Sequence, residues 1–173
     1  MGMAAVDSAL GRTMARSGRP AEGVELIREA QQRFITLDHT PFIAESAIRL
    51  AEAFVFGGRS AEAIDVLDEI GDGSVAGGPA VAAMGMRLRG VAVARLARVD
   101  EARELLEKAR AFADKHGVEW ESALAALELA RLPDIADDES QWIESSARGV
   151  LEGMGVSVDA VLPPVAVALA GDS

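Results

Sequence analysis

The sequence predicts an all-α chain built of about four stacked, antiparallel helix pairs. Three observations carry that prediction. Apolar residues recur at helical spacing through nearly all of the 173 residues, and no strand-like alternation persists beyond four or five positions. Half of the residues are hydrophobic but only 4% are aromatic, and much of the apolar share is alanine, which suits helices packed closely on helices. A short signature also returns every 38 to 40 residues: Gly18-Arg19-Pro20-Ala21-Glu22-Gly23, Gly58-Arg59-Ser60-Ala61-Glu62-Ala63, Arg98-Val99-Asp100-Glu101-Ala102-Arg103 and, more faintly, Asp138-Glu139-Ser140.

In chain order the periodicity places helices near 4–17, 20–37, 41–57, 60–70, 79–97, 99–116, 118–132 and 138–153. Breakers separate them: Ser17-Gly18, Gly57-Gly58, the run from Gly71 to Pro79, Gly117, and Leu132-Pro133-Asp134. Pro20, Pro41 and Pro79 stand where a first-turn proline is tolerated. Ser60 precedes Glu62 and Ala63 at one start, and Asp100 and Glu101 fall in another first turn, where acids favour the helix dipole.

The signature opens the second helix of each pair. With Gly23, Ala63, Ala102 and Ser140 as equivalents, Ile27, Leu67, Leu106 and Glu144 follow four residues on, and Ala30, Ile70, Ala109 and Ala147 seven on. These offsets share one helix face. Twelve residues before the first three anchors stand Gly11, Ala51 and Gly90, small enough to let the two helices of a pair close up. One pair cannot bury its apolar face alone, whereas stacked pairs can.

The pattern resembles the tetratricopeptide repeat. The second unit matches best, with Leu50-Ala51, Phe54, Gly58, Ala63 and Leu67. The third matches with Gly90, Val93, Ala102, Leu106 and Ala109, and the first with Leu10-Gly11, Met14, Gly18, Ile27 and Ala30. The fourth unit is degenerate, the repeat's helix-A tryptophan and closing proline are missing, and the period exceeds the usual one. Such units are similar to the C-terminal helical repeats of large bacterial ATP-dependent transcriptional regulators and multidomain nucleotide cyclases. Residues 117–131 and 147–156 look like closing units of that kind. The resemblance implies a right-handed superhelix over residues 1–156, followed by an apolar, proline-containing tail over 157–173. A piece of a longer regulator and a complete array capped by its first helix are both open readings of a helical pattern that starts almost at Met1.

Composition narrows the function classes. A net charge of −11 argues against a nucleic-acid surface. The charge is uneven: residues 1–60 hold seven acids and seven arginines, so the whole excess lies in 61–173. No cysteine is present for a disulfide framework or a thiolate metal site. No stretch reaches the roughly 18 apolar residues of a membrane span. A cytoplasmic location is the expectation, with neither membrane nor nucleic acid as a partner.

Little in the sequence points to chemistry, and neither catalysis nor a cofactor or metal is expected. His39 and His116 stand at helix ends, where histidine can bond terminal carbonyls. The run 71–78 lacks the Lys-Ser/Thr of a phosphate loop and follows a helix rather than a strand, and at Gly85 and Gly90 the lysine is replaced by Val91. Asp134, Asp137, Asp138 and Glu139 lack the spacing of a calcium loop. Ser145 and Ser146 have no neighbouring base. Trp120 and Trp142 are expected to pack in the last pair.

The resemblance implies that the first helices of the pairs line a concave groove that takes a protein or peptide. Mapping outward from Gly11, Ala51 and Gly90 gives Arg12, Arg16, Glu45, Arg49, Glu52, Arg87, Val91 and Arg95 as candidate groove residues. Five of these eight are arginine, which grips carboxylates with paired hydrogen bonds, so the expected partner is an acidic segment or a C-terminal carboxylate. The bland alternative is ordinary exposed arginines paired along their own helices. Absence of asparagine sets the chain apart from repeat clamps that hold chaperone tails. A small-molecule sensor, with Met84, Leu88 and Val91 as the pocket floor, is the second reading. The apolar tail can either fold back on the last pair or dock on a neighbour to give a homodimer.

Overall fold

In the computed structural model, residues 2–71, 77–133, 135–158 and 161–163 are described. They form eight α-helices: α1 Gly2–Arg16, α2 Pro20–Thr36, α3 Thr40–Phe56, α4 Ser60–Ile70, α5 Pro79–Arg95, α6 Val99–Lys115, α7 Glu119–Ala130 and α8 Asp137–Gly153. Among the described residues there is no strand. No helix there is long and apolar enough to cross a membrane.

Each helix packs against its successor, and α1, α3, α5 and α7 also pack in series on one another. No two even-numbered helices make more than marginal contact. The odd-numbered helices therefore form one close-packed layer and the even-numbered ones a splayed layer behind it. This is a helical array.

Small residues set the spacing within pairs. A Cβ added at Gly23 would fall 2.4 Å from the Gly11 carbonyl oxygen, and one at Gly11 would fall 2.7 Å from Ile27 Cγ1. In the third pair a Cβ at Gly90 would fall 2.7 Å from Leu106 Cγ. Ala51 and Ala63 are fully buried at the equivalent positions of the second pair.

The repeated signature has two physical jobs. Its first residues close the preceding helix. Gly18, Gly58 and Gly117 take positive φ there, as do Asp38 and Ala97 at turns without glycine. The next residue's N–H then reaches back five residues, as Arg59 does to the Phe54 carbonyl. Its arginine and glutamate open the next helix. Arg19 pairs with Glu22, Arg59 with Glu62 and Arg98 with Glu101. None of these helices has a side-chain N-cap bond, so Ser60 is the first residue of α4 rather than its cap. The hydrogen bond from arginine holds the Glu22 and Glu62 carboxyls below their ordinary range.

The main core runs through the first three pairs and ends at Leu129 and Leu132. A second cluster joins Leu124, Leu127, Ala147 and Leu151 to Val158, Val161 and Leu162. The described part of the tail thus folds back on the last pair. Residues 164–173, Asp134 and residues 72–76 of the glycine-rich run lie outside the described residues.

The two tryptophans separate. Trp120 packs on the second cluster as expected. Trp142 does not pack: it is 71% exposed. The buried positions of α8 are Ala147 and Leu151, and Trp142, five and nine residues before them, falls on the opposite side of the helix, so helical geometry turns it outward.

Candidate functional site

The layer of odd-numbered helices carries a concavity of about 350 Å³. Arg12 and Arg16 of α1, Glu45 and Arg49 of α3, Val81 and Met84 of α5, and Trp120 and Glu121 of α7 line it. The expected groove residues divide into two sets. Arg12, Arg16, Glu45 and Arg49 are on its wall. Glu52, Arg87 and Val91 are 1%, 1% and 3% exposed and lie beneath it. Arg95 is half-buried away from this concavity, and its Nη1 donates to the Val55 carbonyl.

Repeat geometry explains the division. Arg12, Glu52 and Val91 occupy one repeat position, just after the small residue, and Arg87 shares another with Ser8 and Ile48. Both positions face the neighbouring odd-numbered helix. The central helices α3 and α5 have such neighbours on both sides, so Glu52, Val91, Ile48 and Arg87 are sealed. At the end helix α1 the position of Arg87 is still sealed, with Ser8 fully buried, and only the position of Glu52 and Val91 opens, leaving Arg12 partly exposed.

Glu52 is the centre of the charged seam. Arg12 Nε donates to its Oε2 at 2.6 Å, Arg12 Nη2 to its Oε1 at 3.3 Å, and Arg16 Nη2 to its Oε1 at 2.5 Å. Burial alone would raise this carboxyl, but Arg12 and then Arg16 outweigh it and hold Glu52 below the usual range. Arg49 donates to Glu45 Oε1 at 2.6 Å and to buried Ser8 Oγ at 3.1 Å. Arg87 Nε donates to Glu121 Oε2 at 2.7 Å, and both residues are buried. Of these arginines only Arg49 pairs along its own helix; the others tie one odd-numbered helix to the next.

The seam is not charge-balanced. Four arginines (12, 16, 49, 87) meet three glutamates (45, 52, 121) in a chain of net charge −11. Arg16 Nε and Arg87 Nη2 are buried without hydrogen-bond partners. Further along α7, Glu128 is buried with its Oε1 unpartnered, and its other oxygen is 3.8 Å from Arg131. Burial pushes this carboxyl up, against the opposing pull of Arg131, Arg87 and Arg95.

Of the second reading's floor, Met84 reaches the concavity, while Leu88 and Val91 belong to the core behind it. The remaining candidates bring no chemistry together. The His39 ring lies on Phe42 and the His116 ring on Phe112, their centroids 4.5 and 4.3 Å apart, so both pack as aromatics. Ser145 and Ser146 are exposed on α8. Among the described residues no group of three or more histidine, aspartate or glutamate side chains is placed to hold a metal ion.

Comparison with protein-family models, with curated proteins and with solved structures yields no match to this chain.

Proposed function

We propose that the array is a non-catalytic protein-interaction module whose concave face holds an acidic segment or a C-terminal carboxylate. The observation that supports this is the excess of guanidinium over carboxylate along the groove. A carboxylate entering the groove would meet arginines already fixed by their own glutamates, so little side-chain entropy is lost on binding. Trp120, Val81 and Met84 supply an apolar wall for the partner's side chains. On this reading the chain resembles degenerate tetratricopeptide arrays, of the kind that serve as cytoplasmic sensor or scaffold regions of bacterial regulators.

Ala80 gives a clean test. It lines the groove, is exposed, and is the second residue of α5, where a new acid favours the helix dipole. Ala80→Glu should leave folding intact and weaken binding of acidic peptides at least about tenfold by like-charge repulsion. The assay is calorimetric titration with peptides selected from an acidic display library, each with a free and an amidated C-terminus. Equal affinity for wild type and Ala80→Glu would refute the groove assignment.

The concavity also falls in the size range of small-ligand sites, roughly 300–1,000 Å³. A sensor would gain thermal stability from a small molecule in a screen, whereas a peptide-binding groove would not.

A further inference from the structure

We infer that the outer face of α1 is a self-association surface that pairs two copies of this chain about a two-fold axis. Every exposed residue of α1 is uncharged: Gly2, Met3, Val6, Ala9, Leu10 and Thr13. Met3, Val6 and Leu10 are 77%, 64% and 50% exposed, although a quarter of the chain's residues are charged. The charged residues of α1 are turned away, Arg12 and Arg16 toward Glu52 and Asp7 toward Arg33 at 2.5 Å.

The rest of the array shows that this face is one that receives a helix. The positions of Val6 and Leu10 are those of Ser46 and Leu50 in α3 and of Gly85 and Arg89 in α5. Ser46 and Leu50 are buried. A Cβ at Gly85 would fall 3.2 Å from Ile48 of α3 and 3.8 Å from Leu67 of α4, and Arg89 pairs with Asp68 of α4 at 2.5 Å. In α7 the equivalent residues are Ala123 and Leu127, buried in the cluster that α7 shares with α8. On α3, α5 and α7 this side is therefore covered by neighbouring helices. On α1 the same side is apolar and bare.

Two features select a second copy as the occupant. Met3, Val6, Leu10 and Thr13 follow alternating steps of three and four, the spacing of a two-helix seam, and small Gly2 and Ala9 flank it so that a second α1 can come close. Symmetric pairing sets each surface against itself, which a charged surface resists. Residues 1–60 have no net charge, whereas 61–173 hold the entire −11. An antiparallel pair of α1 helices joins the neutral ends and sends the acidic ends apart. At the other end of the array the outer surface of α8 is mixed, with Gln141, Glu144, Ser145, Arg148 and Glu152 beside the exposed Trp142 and Val150.

Sedimentation velocity of the full chain over a micromolar concentration series tests this. Wild type should show a monomer–dimer equilibrium, and Val6→Glu or Leu10→Glu should weaken it at least about tenfold with helicity unchanged, since burying one such side chain is worth that factor or more. The chain has no cysteine, so Ala9→Cys provides a second readout. Mild oxidation should give a disulfide-linked dimer from Ala9→Cys and none from Ser145→Cys on α8. Monomeric wild type at every concentration, growth beyond dimers, or equal cross-linking at both positions would overturn the inference.

Discussion

Replacing Gly23 with alanine isolates the contact that joins α1 to α2. The new Cβ would lie 2.4 Å from the Gly11 carbonyl oxygen and 3.0 Å from the Ala15 nitrogen, all of it backbone that cannot swing aside. An ordinary carbon–oxygen contact needs about 3.3–3.6 Å, so the helices must part by about 1 Å. A gap of that size forfeits a quarter to a half of the dispersion energy across it, around Ile27 and Ala30, which are fully buried. Overpacking costs about 1–3 kcal/mol beyond that, and the gain in helix propensity from Gly to Ala returns about 1 kcal/mol. The expected net is about 2 kcal/mol of destabilisation. Gly90→Ala should cost less, because its nearest obstacle is the Leu106 side chain rather than backbone. Gly149→Ala on α8 is the control: nothing lies within 4 Å of its Cβ, so only the propensity gain remains and the protein should be stabilised by about 0.5–1 kcal/mol. Urea unfolding followed by far-ultraviolet circular dichroism measures all three. A Gly23→Ala variant as stable as wild type would refute the close-approach argument.

Ala97 takes φ +59 at a turn where Gly18 and Gly58 stand in other repeats, so Ala97→Gly should stabilise the protein by about 1 kcal/mol in the same assay. Glu52→Gln removes the charge that Arg12 and Arg16 share at a buried site and should cost about 3–5 kcal/mol. Glu52 has a lowered carboxyl, so its contribution is present above the unfolded-state value near pH 4 and is lost as pH falls through the folded-state value; the acid-unfolding midpoint of wild type should therefore lose its steepness in Glu52→Gln. Glu128 has the opposite sign. Its raised carboxyl favours the folded state below the unfolded value, and that advantage is lost as pH rises, so Glu128→Gln should raise the melting temperature at neutral pH and leave it unchanged near pH 4.

The helices were legible because small residues and glycine-bearing turns recur in register with apolar residues at offsets four and seven. The depth of the groove residues was not. Arg87 and Arg12 both read as surface arginines on an amphipathic helix, yet Arg87 is sealed and Arg12 half-open. They stand at different repeat positions: that of Arg87 is buried in all three units, as Ser8 and Ile48 show, whereas that of Arg12 is sealed at Glu52 and Val91 and open only on the end helix α1, which is a property of the stack and not of the helix. Glu121 of the groove and Glu128 beyond it escaped notice because they fall on a helix buried almost all round. One signal was available: α7 carries acids among an otherwise continuous apolar run, and a buried acid needs a cation. The exposure of Trp142 was legible too, since Ala147 and Leu151 fix the buried face of α8 and Trp142 falls off it. Bulk alone suggested that it would pack.

The groove and the outer face of α1 are distinct surfaces, and this has a measurable consequence. Arg12 and Arg16 reach the groove from one side of α1, while Val6 and Leu10 stand on another. A two-fold pair through α1 would leave both grooves open and hold them in one particle. An acidic peptide free in solution would then bind each groove independently, and Leu10→Glu would leave its affinity unchanged. The same peptide immobilised densely on a surface would be held at two points by a dimer, with the second contact made at high effective concentration. Leu10→Glu should therefore speed dissociation from the dense surface by about a hundredfold while leaving solution titration unaffected. Ala80→Glu should weaken both. Equal effects of Leu10→Glu in the two formats would mean that α1 shapes the groove itself, and the separation of the two surfaces would fail.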